Sequence, residues 1–305
     1  MALMIEEIVS LSVSELRENF PAWISENTGA GDTALRATVR AGMGEVLQAV
    51  SDEELALTLE GYRTIGAEYG YFGADPIARK LGRAFIAPLA FEPRVDGIEH
   101  LRGAMDRGPC LLVSNHLSYA DSQFTDQLLS CVDTAGIADR LVFIAGPKVY
   151  SDAFRRLAAL GLNTLQTAQS GRLSHNDAGL SPREIARIAI ATVRKTRALM
   201  DDGFLPLLYG EGSRSRSGRL GSFLRGVGRY PDGRTQLIPL ALEGTGEAYP
   251  IDQDQLLRAS VSVRIGAPVL VGNRPPLEAM EEAWHSLAAI LSPECQPELG
   301  VPATV

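Results

Sequence analysis

Cysteine is scarce in this chain of 305 residues: there are three, Cys110, Cys131 and Cys295. They lie far apart, without the short spacings of a metal site. Cys110 and Cys131 fall in apolar segments, where buried free thiols are common, and a reducing cytoplasm suits them. Long hydrophobic runs are missing too. Residues 84–91 (AFIAPLAF) come nearest, but they are interrupted by Pro88 and fall well short of the ~20 residues a spanning helix needs. The opening MALMIEE is acidic where a secretory signal would be basic. A soluble, cytoplasmic protein is expected, with at most peripheral contact to a membrane. Excess positive charge is absent as well. The net charge of −8 argues against a general nucleic-acid binder, because such proteins work by neutralising phosphates. No Gly-x-Ser-x-Gly nucleophile elbow occurs, and no P-loop lysine follows a glycine-rich loop. There is no internal repeat and no low-complexity segment.

What is present falls into two parts. Up to about residue 92 the pattern is helical. Ser12 with Glu15 and Ser51 with Glu54 fit capping boxes, and Asp32 suits a cap between them. After Ser51, Leu55, Leu59 and Tyr62 recur at helical spacing. From there on, short apolar runs at 109–114, 140–145, 161–165, 204–209, 236–242 and 260–265 alternate with helical stretches at 119–131, 151–159, 182–201 and 275–292. The stretch from 182 opens SerProArgGlu (181–184), a cap followed by a first-turn proline. The expectation is an α/β fold: a mixed, largely parallel sheet flanked by helices (93–305), with a small N-terminal helical subdomain (1–92).

Ligand sites in such folds lie beyond the carboxyl ends of strands. Two stretches sit there. Residues 114–121 read SNHLSYAD and follow the apolar run at 109–113. The chain has four histidines, and this one, His116, precedes Asp121 by about one helical turn. A lone histidine is usually a satisfied core or surface group. Beside a carboxylate that can hold one ring nitrogen, it becomes a candidate general base. No nucleophile accompanies the pair, so it suits direct activation of a substrate hydroxyl. The second stretch, YGEGSRSRSG (209–218), also follows an apolar run. Its glycines free the backbone, and Arg214 and Arg216 carry donor forks that suit phosphate. A solvated basic loop is the plainer reading of an Arg-Ser run, but its strand-terminal position and Glu211 favour binding.

AsnHis-x4-Asp at 115–121 followed by GluGlySerArg at 211–214 resembles the glycerolipid acyltransferase family, which includes glycerol-3-phosphate and lysophosphatidate acyltransferases. ValAspGlyIleGluHisLeu (95–101), IleProLeuAlaLeuGluGlyThr (238–245) and ArgIleGlyAlaPro (264–268) are similar to further blocks, so the likeness spans roughly 95–270. It implies that His116, oriented by Asp121, activates an acceptor hydroxyl that attacks an acyl thioester. It also implies that Glu211, Gly212, Ser213 and Arg214 bind the acceptor phosphate, Ser213 replacing the usual threonine. The second block of many bacterial lysophosphatidate enzymes carries an arginine, which GlyLeuAsnThrLeuGlnThr (161–167) lacks. The soluble plastid-type glycerol-3-phosphate acyltransferases are more similar. PheIleAlaGlyProLys (143–148) and SerGlyArgLeuSerHisAsnAsp (170–177) resemble segments of that branch, and Arg214 and Arg216 match its Arg-x-Arg. This adds Lys148, Arg172, His175 and Arg216 as phosphate ligands.

The acceptor implied is glycerol 3-phosphate, with its 1-acyl form as the alternative. The donor is a thioester of acyl carrier protein or coenzyme A, and no metal or bound cofactor is required. Oxyanion donors are expected among the backbone N–H groups near 115–118 or at the next helix start. Arg183, Arg187, Arg194, Lys195 and Arg197 offer a docking face to an acidic carrier protein, although a solvated helix face is the simpler reading. Two other classes use the same residues differently. In a thioesterase water replaces the acceptor, and a non-catalytic lipid or carrier-protein binder needs no proton acceptor at His116.

Overall fold

In a computed structural model the described residues are 5–132, 136–168, 179–253, 255–298, 300 and 302–304. The chain begins with helices α1 (Ile5–Ser10), α2 (Val13–Glu26), α3 (Thr33–Gln48) and α4 (Asp52–Thr64). Both expected capping boxes form. Ser12 accepts from the Glu15 amide and Ser51 from the Glu54 amide, each glutamate reaching back to the cap, while Asp32 caps α3. Then come β1 (Tyr71–Phe72), α5 (Pro76–Ile86), β2 (Ala90–Asp96), α6 (Ile98–Met105), β3 (Cys110–Ser114), α7 (Asp121–Val132), α8 (Ile137–Arg140), β4 (Leu141–Ala145), α9 (Ala153–Leu160) and β5 (Asn163–Gln166). The remainder is α10 (Pro182–Asp201), β6 (Leu205–Tyr209), β7 (Gln236–Glu243), α11 (Thr245–Ala248), β8 (Ala259–Ile265), β9 (Val269–Leu270) and α12 (Pro276–Ile290).

The strands form one mixed, mostly parallel sheet in the order β1-β5-β4-β6-β3-β7-β8-β2, with β9 on β7. From β5 through β4, β6 and β3 to β7 every neighbour is parallel, while β7 with β8, β7 with β9, and β1 with β5 are antiparallel. Six of the strands match the apolar runs. Strands β1, β2 and β9 do not announce themselves as runs, because β1 and β9 are two residues long and β2 is mostly exposed.

Side-chain alternation along β3 sends its residues to two cores. Cys110 and Leu112 join a core with Phe20, Val39, Leu47, Phe85 and Phe124, whereas Leu111 and Val113 join Phe223, Met280 and Trp284 on the other side. The N-terminal helices therefore cover one face of the sheet and share its core. The expected boundary at 92/93 falls inside β2, and β1 at the far edge also comes from the N-terminal part. A partly buried ion pair fastens this layer further, since Arg83 on α5 bonds the buried Asp126 on α7 at 2.7 and 3.1 Å. Gly97, at φ +77, opens α6 where a Cβ would collide with the Ile265 carbonyl oxygen of β8. Of the thiols, Cys110 is buried, and burial raises its pKa to about 11. Cys131 was expected to be buried but is exposed, on the outer side of α7. Among the described residues no helix is long and apolar enough to cross a membrane.

Candidate active site

Parallel neighbours release their chains at the same edge of the sheet. β3 and β6 pair with Ser114 opposite Tyr209, so the segments that follow, 115–121 and 210–216, emerge side by side. Asn115 extends the ladder with its side chain, donating to the Leu242 carbonyl (2.8 Å) and accepting from the Leu242 amide (2.9 Å). This pins the end of β3 to β7, and the next residue, His116, starts from a fixed point.

The His116 Nδ1 lies 2.7 Å from Asp121 Oδ2. Asp121 also accepts from the Leu117 amide (2.7 Å), the Ser118 amide (3.1 Å) and the Ser118 hydroxyl (3.0 Å). An ionised carboxylate is acceptor-only, so each of these contacts comes from a donor. The imidazole must then carry its proton on Nδ1, which leaves the Nε2 lone pair free as a base. The Asp121 side chain is 1% exposed and that of His116 17%, so the acid is sealed and the base is reachable.

Two further groups fix the ring and its backbone. Tyr209 stacks on the imidazole with centroids 4.3 Å apart and planes 18° from parallel. Burial, reinforced by the Asp121 charge, raises the Tyr209 pKa well above its usual value, so it stays neutral, bonded to Ser122 Oγ at 3.0 Å. Glu211 is a strut. Its two oxygens accept from the His116 amide (2.8 Å) and the Gly221 amide (2.7 Å). Burial raises its pKa against the opposing pull of those two amides. The sequence reading expected Glu211 to contact substrate; each of its oxygens accepts from a backbone amide, and Glu211 does not line the cavity beside the base. Three of the expected oxyanion donors are engaged in the same way. The amides of His116, Leu117 and Ser118 are already given to Glu211 and Asp121.

A cavity of about 550 Å³ opens beside the base. His116, Tyr119 and Lys148 line it, with Gly212 on one side. Its walls are largely apolar: Phe143 and Ile144 of β4, Leu162 before β5, Ala189 and Val193 of α10, and Leu208 of β6. Lys148 and Gly212, both named by the sequence reading, thus border the same space as the base. Arg214 lies with its guanidinium carbon 3.8 Å from the centroid of the Tyr119 ring. Ser213 and Arg216 are exposed and do not line the cavity. Arg172 and His175 lie outside the described residues.

On α10, Arg183, Arg187, Arg194 and Lys195 are exposed. Arg197 differs from that expectation, because its guanidinium clips the carbonyls of Arg229 (2.8 Å), Tyr230 (3.0 Å) and Pro231 (3.1 Å). Sequence reasoning missed Tyr209, Ser122, Tyr119 and Arg155, all at the cavity wall. Tyr119 and Tyr209 lie inside the two recognised stretches and Ser122 directly follows one, but nothing in the sequence pointed to Arg155.

No family model and no curated protein matches the chain. Among solved structures it is similar to the crystal structure of the 1-acyl-sn-glycerophosphate (LPA) acyltransferase, PlsC, from Thermotoga maritima. The identity is 16% and the TM-score 0.46, over 90% of this chain and 95% of that one. At that distance the likeness assigns neither a family nor an activity.

Proposed function

We propose that the chain is an O-acyltransferase that moves a fatty acyl group from a thioester of acyl carrier protein or coenzyme A to a hydroxyl of glycerol 3-phosphate, in the cytoplasm or at a membrane surface. One observation carries the reading: a base with a free Nε2 opens onto a cavity whose walls are apolar and which also holds Lys148. A hydroxyl needs the base, a fatty chain the apolar walls, and a phosphate the cation. The size suits a small-molecule site, for which ~300–1,000 Å³ is usual.

The acceptor oxygen attacks the thioester carbonyl carbon while its proton passes to His116 Nε2. Asp121 steadies the imidazolium that forms. The tetrahedral intermediate then collapses, the carbon–sulfur bond breaks, and the thiolate takes the proton back from Nε2. The ester and the free thiol are the products. Arg214 and Lys148 hold the acceptor phosphate, and no step calls on a metal or bound cofactor.

The test offers purified protein an acyl thioester with equal concentrations of glycerol 3-phosphate and its 1-acyl form, with and without lipid vesicles. Lysophosphatidate is the expected main product. Phosphatidate formed preferentially, with vesicles stimulating it, assigns the 1-acyl acceptor instead, and free fatty acid regardless of acceptor assigns a thioesterase. His116→Ala should lower turnover at least about a hundredfold, as general-base catalysis contributes ~10²–10⁴. Asp121→Asn should slow it severely by favouring the wrong tautomer. Near-normal turnover by folded His116→Ala removes the mechanism.

A further inference from the structure

The geometry points to Arg155 as a second anion ligand, paired with Arg214 across Tyr119 and reading the same phosphate monoester. The identity of that phosphate rests on the function proposed above; the anion site itself does not. Arg155 belongs to neither recognised stretch. It sits in the first turn of α9, where Asp152 caps the helix by accepting from the Arg155 amide at 2.9 Å. Its guanidinium carbon lies 4.3 Å from the centroid of the Tyr119 ring, the ring that also carries Arg214 at 3.8 Å. Tyr119, Arg155, Lys148 and His116 line one cavity.

A guanidinium attracted to an aromatic face is held through its own plane. Its N–H groups lie in that plane and stay available at the edges. The Nε of Arg155 faces Asp152 at 3.4 Å, while its terminal nitrogens make no hydrogen bond among the described residues. Arg155 is thus ion-paired through Nε alone, and Arg214 forms no ion pair among the described residues. Two guanidinium groups on one ring, with Lys148 lining the same cavity, gather positive charge that Asp152 offsets only in part and that a dianion bound at their edges would offset further. Forked donors fit phosphate oxygens, which makes a phosphate monoester the matching ligand class. Tyr119 lies in the loop between His116 and Asp121, so the ring that holds the cations moves with the base. Phosphate placement and proton acceptance are thereby coupled.

The experiment measures equilibrium binding of inorganic phosphate, glycerol 3-phosphate and its 1-acyl form to the full chain, apart from any turnover. Arg155→Gln should weaken binding about ten- to a hundredfold, the range for losing one charged hydrogen bond. Arg155→Lys should recover part of the loss. A loss confined to the 1-acyl compound also supports the site and marks a lipid headgroup as its ligand. Unchanged binding of all three by folded Arg155→Gln overturns the proposal. If that variant does not melt cooperatively, Tyr119→Leu decides: weakened phosphate binding supports the site and unchanged binding overturns it. A chain that transfers no acyl group but loses phosphate affinity on Arg155→Gln keeps the site and loses the function. One that transfers normally and binds phosphate unchanged in the variant keeps the function and loses the site.

Discussion

At the scale of single residues, Glu211 shows how a buried carboxylate can serve a site without touching substrate. It ties the His116 and Gly221 amides together from the interior. Its pKa is raised above the ordinary 4.5, with burial the leading cause. A carboxyl whose pKa rises on folding binds its proton more tightly when folded. Its contribution therefore favours the fold at low pH and is lost as pH rises through the raised value. Glu211→Gln abolishes this dependence and turns one N–H toward an amide that needs an acceptor, which should cost about 1–3 kcal/mol. The stability advantage of the unaltered chain over the variant should be largest in acid and shrink as pH climbs above 4.5. Urea unfolding of both chains across that range checks it; an advantage that grows with pH would mean the two amides outweigh burial.

At the scale of elements, α10 does two jobs that its sequence shows unequally. Its start is plain: Ser181 accepts from the Glu184 amide, Glu184 reaches back to the Ser181 amide at 2.8 Å, and Pro182 opens the first turn. The hydrogen bonds to Ser181 hold the Glu184 carboxyl below its usual pKa. Its inner face, with Ala189 and Val193, forms a wall of the cavity, and only packing against β4 and β6 reveals that. Ser181→Ala should lower stability by about 1 kcal/mol, the usual worth of an N-cap. Thermal melting would detect it, and an unchanged melt would show that packing alone holds the helix start.

At the scale of the whole molecule, the cavity exists because α7, α9 and α10 converge with the parallel strands β4, β5 and β6. Under the proposed acyl transfer, its size should limit which thioesters are accepted. Val193→Trp intrudes a large ring from α10 into the space beyond the base. If a fatty chain lies there, turnover of long-chain thioesters should fall at least about tenfold while short-chain turnover persists. Each tenfold step corresponds to ~1.4 kcal/mol. A uniform loss across chain lengths would place the chain elsewhere.

Much of this was determined locally and so was readable in one dimension. Capping boxes depend on residues three apart, and both N-terminal ones form as spaced. Fully buried strands such as β3 and β4 are continuous apolar runs because parallel strands are covered on both faces. The His116–Asp121 pair was legible because a single turn of chain joins the two. Tertiary structure alone decided the rest. The pairing of β3 with β6 puts Arg214 on Tyr119, and the approach of α9 adds Arg155 to the same ring. Glu211 reaches the His116 amide across the fold instead of facing substrate. Short edge strands gave no periodic signal, and the N-terminal helices merged into one core because an uncovered sheet face must be buried. Such contacts join residues distant in sequence, and no local pattern encodes which distant partner a side chain will meet.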